Sequence, residues 1–149
     1  MSKVESASSA DLGPIRILLE ASGLPTSDLA AASPEFYVVR DAGRIVAAGA
    51  LEHFGSAALL RSVVVAADQR SRGLGRLVTR ELERAATQAG ITDLILLTET
   101  AAGFFERQGY RVIERSGAPA AVQQSAEFRA LCPSSATCMS KNLSARRVG

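Results

Sequence analysis

The sequence predicts an α/β fold built around a mixed sheet, and three stretches carry that expectation. Leu59-Leu60-Arg61-Ser62-Val63-Val64-Val65 is an apolar, β-branched run that reads as a buried strand. Leu74, Leu77, Val78, Leu82, Ala85 and Ala86 then recur at three- and four-residue steps, the period of a helix packed along one side. Upstream, residues 36–40 and 44–53 flank Asp41-Ala42-Gly43, a tight-turn sequence, so an antiparallel hairpin feeds strand, turn and helix. With 149 residues, 47% hydrophobic and 21% charged, residues 1–149 suffice for one domain with a real core. A formal charge of +2 is too small to imply a nucleic-acid partner. No run reaches the roughly 18 apolar residues of a membrane span, and Met-Ser-Lys-Val-Glu-Ser has no signal-like apolar core, so a cytoplasmic protein is expected.

Each element follows from local signals. A short strand is expected around Val4, then a helix capped by Ser8 with Asp11 three residues on, its apolar face Leu12, Ile15, Leu18 and Leu19, ended by Gly23 and Pro25. A second short helix covers residues 27–32. After the hairpin and the Gly55 turn come the central strand and helix, which Gly90 closes. Residues 94–98 are almost continuously apolar, as in a strand covered on both faces, and should lie beside the strand of Val63, Val64 and Val65. Residues 101–108 read as a helix closed by Gly109, residues 110–114 as a strand, and residues 119–131 as a helix with Pro119 near its start and Cys132-Pro133 at its end. Residues 135–139 make a last strand, and residues 143–149 are expected to fray.

The chemistry concentrates where the central strand meets the helix. Gly73 and Gly75 lie at the helix start, where the absence of a Cβ lets a ligand approach the first-turn N–H groups, and these with the helix dipole favour a phosphate. Arg70, Arg72 and Arg76 surround the same point. The nucleotide P-loop is excluded because no Gly-Lys pair occurs, and the dinucleotide G-x-G-x-x-G/A pattern meets Val78 at its third position. What does fit, Arg70-x-x-Gly73-x-Gly75 after a strand, resembles the R/Q-x-x-G-x-G/A signature of the GCN5-related N-acetyltransferase (GNAT) superfamily. Ala101-Ala102-Gly103-Phe104-Phe105-Glu106-Arg107-Gln108-Gly109-Tyr110 resembles a second motif of that superfamily, A-x-x-F-Y-x-x-x-G-F/Y, in the right order. The resemblance runs from the hairpin onward. It implies a mixed, mostly antiparallel sheet of about six to seven strands flanked by helices and splayed at the acetyl-CoA site, with acetyl-CoA as co-substrate and no metal. On this resemblance the cofactor-binding residues are Val63, Val64, Val65, Arg70, Ser71, Arg72, Gly73, Leu74, Gly75, Arg76 and Phe105.

A narrower resemblance lies in Leu59-Leu60-Arg61-Ser62 and in Pro119-Ala120-Ala121, Glu127-Phe128 and Leu131-Cys132-Pro133-Ser134-Ser135-Ala136. These are similar to a branch of small amino-acid N-acetyltransferases associated with arsenic resistance, whose relatives acetylate arsinothricin or phosphinothricin. That implies acetylation of the α-amino group of a small acidic amino acid or its arsenic or phosphorus analogue. Another small amine or a protein amine is the alternative. The expected partner is a small-molecule amine, with no nucleic acid and no membrane, and a homodimer is left open.

Acetyl transfer needs an uncharged amine, a proton acceptor and an exit for the thiolate. Many superfamily members protonate the thiolate with a tyrosine of the second motif, but this chain has Phe105 there, and neither Tyr37 nor Tyr110 matches that position. Glu52, after the apolar run of residues 45–51, is the candidate base, with Glu99 its rival. His53 is the single histidine; adjacent strand residues point to opposite faces, which argues against a catalytic pairing with Glu52, and a surface position is expected. Arg61, among apolar residues, needs an anion: a substrate carboxylate held by the planar fork, or an internal carboxylate such as Glu52. Ser62 and Thr98 could add hydroxyl contacts to substrate. Cys132 and Cys138 are too few for a disulfide scaffold and are not spaced for zinc; with the arsenic resemblance they open a non-enzymatic reading, an arsenite-binding protein.

Overall fold

A computed structural model describes residues 3–132 and 134–144. Its strands, in chain order, are β1 (Val4–Ser6), β2 (Glu35–Asp41), β3 (Arg44–Phe54), β4 (Ala57–Val65), β5 (Asp93–Thr98), β6 (Arg111–Val112) and β7 (Thr137–Asn142). They form one seven-stranded sheet in the order β1-β2-β3-β4-β5-β7-β6. The sheet is mixed: β4 and β5 are parallel, whereas β1–β2, β2–β3, β5–β7 and β6–β7 are antiparallel. The helices are α1 (Leu12–Ala21), α2 (Leu29–Ala32), α3 (Leu74–Gln88), α4 (Ala102–Arg107) and α5 (Ala120–Gln123). This is the mixed, mostly antiparallel α/β architecture that the sequence predicts.

The chain packs as two compact units, Met1–Glu52 with Leu60–Arg84, and His53–Leu59 with Ala85–Gly149. In the first, the Ser8 N–H donates to Asp11 Oδ2 (2.8 Å) and the Ser8 hydroxyl to the same oxygen (3.2 Å), so the entry to α1 is tied as its sequence suggested. Ile15 and Leu19 of α1 pack with Leu29, Phe36, Val38, Ile45, Ala48, Ala50 and Val64 in one apolar cluster. The β2–β3 turn places Ala42 and Gly43 at φ 53° and 80°, the left-handed pair of a tight hairpin.

On the other face of β3, α3 comes so close that a Cβ built at Gly49 would stand 2.7 Å from Val78 Cγ1 and 2.9 Å from Leu82 Cδ1. Those distances are far inside van der Waals contact, so glycine at this place sets how near α3 can lie. Strand alternation then separates the roles of β3: Ala48 and Ala50 face α1, Gly49 faces α3, and Glu52 shares the parity of Ala48 and Ala50.

β4 does not keep a single parity. Ser62 has φ 61°, a left-handed residue inside a strand, which acts as a one-residue bulge. Beyond it Val64 joins the α1 cluster while Val63 Cγ2 lies 3.4 Å from the Gly49 Cβ position on the α3 side.

In the second unit, β4 and β5 pair at Ala57–Leu59 against Asp93–Ile95. β5 thus lies beside the strand that ends at Val63–Val65, as expected, with its paired register at the start of that strand, because the crossover through α3 returns the chain to the strand's beginning. Ala57, Leu59, Ile95, Ala118, Val122, Phe128 and Cys138 form this unit's core cluster. The helix expected over residues 119–131 is split into α5 and a π-helical turn, Glu127–Leu131. Ser125 sits at the break, its hydroxyl accepting the Phe128 N–H (3.3 Å), a local bond that competes with helix continuation. The strand expected over residues 110–114 shrinks to β6, and the last strand begins and ends later than predicted. Leu143, expected to fray, is buried and donates its N–H to the Thr92 carbonyl (2.7 Å); residues 145–149 of the tail lie outside the described residues.

Candidate active site

The first unit carries the phosphate-type loop. After β4 the Ala66 N–H donates to the Val46 carbonyl (2.8 Å) and the Gln69 N–H to the Ala66 carbonyl (2.9 Å), and Arg70 Nε turns back to the Val65 carbonyl (3.3 Å). Ser71 and Gly73 both take left-handed backbone, φ 75° and 77°, while α3 begins one residue later. In a turn, left-handed residues of this kind can bring successive N–H groups to one side, a concavity suited to anions. The helical ladder opens with the Leu77 N–H on the Gly73 carbonyl (3.1 Å), so the N–H groups of Leu74, Gly75 and Arg76 have no acceptor within the helix.

Arg70, Ser71, Arg72, Gly73 and Arg76 are exposed. A Cβ at Gly73 would meet nothing within 4 Å, so the space in front of this turn is open on the protein side. Arg72 bonds Gln69 and lies 3.8 Å from Asp41 Oδ2, and Arg44 pairs with Asp68 at 2.8 Å, which ties the loop to the hairpin. The turn therefore sets a helix N-terminus and exposed arginines beside the open space at Gly73, features that a pyrophosphate site would use.

The second feature of this unit is buried. The Arg61 guanidinium is fully inaccessible and is gripped from two sides. Its Nη1 and Nη2 donate to Asp28 Oδ2 and Oδ1, both at 2.7 Å, and Nη1 also donates to Glu52 Oε1 at 3.0 Å. The Asp28 and Glu52 side chains are 10% and 13% exposed, so the group is screened from water without being sealed. The Arg61 fork holds the Asp28 carboxyl below its usual pKa, against the opposing effect of burial, and Asp28 is ionised at neutral pH. Arg61 was expected to take a substrate carboxylate or an internal one; among the described residues the structure gives it the internal carboxylates of Asp28 and Glu52. Asp28 was not anticipated. It immediately precedes α2 and reads in sequence as a helix cap, and its only signal was that a buried arginine must find an anion somewhere.

The remaining candidates are placed as follows. Ser62 is the bulge residue of β4 and is half-buried, as are Val63 and Val65, with Val64 buried. His53 is exposed, and Glu99, the rival base, is exposed past the end of β5. The Thr98 hydroxyl accepts the N–H of Ala101, the residue just before α4 (3.0 Å). Phe105 is buried edge-on between Phe104 (5.0 Å) and Tyr110 (5.6 Å). Burial pushes the Tyr37 hydroxyl's pKa upward. Burial likewise pushes the Cys138 thiol up and the Cys132 thiol up to about 12, the latter helped by Glu127, whose Oε1 lies 3.8 Å from Sγ. Among the described residues no cluster of three or more His, Cys, Asp or Glu is arranged to hold a metal, and no helix is long and apolar enough to cross a membrane.

The sequence profile of the acetyltransferase (GNAT) domain matches residues 32–112, more than half of the chain. The chain belongs to the GNAT family. An uncharacterised N-acetyltransferase of Chlorobaculum tepidum is 30% identical over 86 residues, 57% of this chain and 55% of that protein. One of Bacillus subtilis is 34% identical over 80 residues, 53% of this chain and 57% of that protein. The matched segments span about half the length of each of these curated relatives. Among solved structures, the GNAT fold recurs in Rv2747 of Mycobacterium tuberculosis in complex with CoA, with a TM-score of 0.81 at 23% identity over 94% of this chain and 98% of that one. It recurs also in N-acetylglutamate synthase of Neisseria gonorrhoeae complexed with coenzyme A and N-acetyl-glutamate, with a TM-score of 0.82 at 18% identity over 96% of this chain and 35% of that one.

Proposed function

We propose that this chain is an acetyl-CoA-dependent N-acetyltransferase acting on a small primary amine, with the loop from Arg70 to Arg76 holding the pyrophosphate and Glu52 taking the amine's proton. The observation that carries this reading is the loop itself, with left-handed Ser71 and Gly73 ahead of α3 and open space in front of Gly73. Membership of the GNAT family and the CoA complexes of its structural neighbours support the choice of ligand. In the reaction a carboxylate takes one proton from the ammonium, the freed nitrogen bonds to the thioester carbon, the C–S bond breaks, and the nitrogen's second proton passes through water to the departing thiolate. Glu52 suits the first of these roles: Arg61 occupies Oε1, and Oε2 has no protein partner among the described residues. Phe105 offers no proton to the departing thiolate, which leaves water or a backbone N–H to serve it.

Charge sorts the acceptors. One guanidinium between two carboxylates leaves a net negative charge, which attracts an ammonium and opposes a carboxylate. That favours an amine without an adjacent carboxylate. The α-amino group of an acidic amino acid, or of an arsenic or phosphorus analogue, is the second reading; the segments around Arg61 and Pro119 favour it, and it requires a cation other than Arg61 for the substrate carboxylate. A thiol-release assay with acetyl-CoA against polyamines, aminoglycosides, amino acids, their amides and arsinothricin decides. Amides should outrun the matching free amino acids. Preference for free amino acids would overturn the amine reading, and no thiol release with any acceptor would overturn the function.

A further inference from the structure

We infer that Asp28 is a positioning residue that keeps Arg61 from capturing Glu52, and so keeps Glu52 available to accept a proton. The inference rests on the reading of Glu52 as the base. Asp28 takes both arms of the Arg61 fork, Nη1 and Nη2, at 2.7 Å each, while Glu52 receives a single, longer N–H from Nη1 at 3.0 Å. A guanidinium presents its donors in a fixed plane and prefers to meet a carboxylate with two parallel bonds. With Asp28 engaged in that way, Glu52 is left a lateral contact on Oε1 only.

The three groups come from three elements. Asp28 sits just before α2, Glu52 near the end of β3, and Arg61 one residue before the Ser62 bulge of β4. Such an arrangement is costly to bury and holds only while all three charges are present. Without the Asp28 charge, Glu52 is a carboxylate already bonded to Arg61 Nη1, and the two-bond geometry that Asp28 held becomes available to it. Glu52 would then accept two hydrogen bonds from a cation, and its affinity for a proton would fall. Asp28 thus does no chemistry on the substrate; it sets how much of the neighbouring charge the base feels.

The test compares two acceptors of similar size in the thiol-release assay: ethylamine, almost wholly protonated at neutral pH, and aminoacetonitrile, already largely unprotonated. Only the first needs a base to strip its ammonium. Asp28→Asn should lower kcat for ethylamine about tenfold or more and kcat for aminoacetonitrile about twofold or less, with acetyl-CoA affinity kept. Glu52→Gln should show the same asymmetry. If Glu52→Gln does so and Asp28→Asn slows both amines alike, Asp28 is only structural and the inference falls while the base remains. If Glu52→Gln slows both alike, or the wild type acetylates neither, the reading of the base or of the function fails and takes the inference with it. Should Asp28→Asn not bind acetyl-CoA, the comparison is made on Asp28→Glu, which keeps the charge but displaces it, and a smaller asymmetry of the same sign is expected.

Discussion

Gly73 and Gly90 bracket α3 and make a matched pair for testing the cofactor loop. Both are left-handed, φ 77° and 84°, and a Cβ at either would meet no protein atom within 4 Å. Replacing either by alanine therefore costs the same backbone penalty, about 1–2 kcal/mol for an L-residue forced left-handed. In a chain of this length that lowers Tm by roughly 2–8 °C. The two differ in what the open space is for. In front of Gly73 it is where the pyrophosphate would approach the first-turn N–H groups; beyond Gly90 it is solvent at the helix C-terminus. Loss of one or two charge-assisted hydrogen bonds at about 1.5–3 kcal/mol each should weaken acetyl-CoA by roughly tenfold to a thousandfold or more in Gly73→Ala. Gly90→Ala should bind as the wild type does. Calorimetric titration with acetyl-CoA, alongside thermal melts, separates the two effects. If Gly73→Ala binds normally, or if both variants lose affinity in proportion to their loss of Tm, the loop is not the phosphate site.

Three further outcomes follow from particular contacts. Gly49→Ala should destabilise by about 1–3 kcal/mol, read from urea midpoints, because its methyl would overlap Val78 and Leu82 across a packed face, and an unchanged midpoint would mean that α3 moves freely. Asp11, held down to about 2 chiefly by its bond to Arg40, and Asp28, held down by Arg61, both titrate lower folded than unfolded. Their stabilisation is thus complete above the ordinary aspartate pKa of 3.8 and is lost as pH falls toward about 2; Asp11→Asn should flatten the melting-temperature profile in that window. With its thiol pushed up to about 12, Cys132 should react with iodoacetamide at pH 7.5 far more slowly folded than in urea, and rapid folded-state labelling would favour the thiol-based arsenite reading.

The parts of the molecule that rest on local rules were legible from the sequence. Ser8 with Asp11, Asp41-Ala42-Gly43, Gly90 and the spacing of Leu74, Val78 and Leu82 each specify a cap, turn, stop or face within a few residues, and the structure has them. The breaks in pattern were not legible. Nothing in Ser62 announces a left-handed residue inside a strand, and the split of residues 119–131 depends on which way the Ser125 hydroxyl turns. The Asp28–Arg61 pair spans 33 positions, a separation that no periodicity encodes. Sequence could say that Arg61 needed an anion; only the fold could choose among the acids.

The odd residue in β4 has a consequence for how this strand can change. Side chains on a strand repeat every two positions, so a frame with one extra residue divides β4 into two phases that meet at Ser62. Arg61 belongs to the first phase, Val63, Val64 and Val65 to the second. Substitutions around Arg61 can therefore be absorbed without re-addressing the valines that lead into the turn at Arg70–Arg76, and the reverse holds as well. Straightening Ser62 into regular strand would join the two phases into one frame, exchanging the faces on which Val63 and Val64 stand while leaving Arg61 where it is, whereas deleting Ser62 would keep all three on their present faces. The strand behaves as two short words with a space between them, and the space is a single serine.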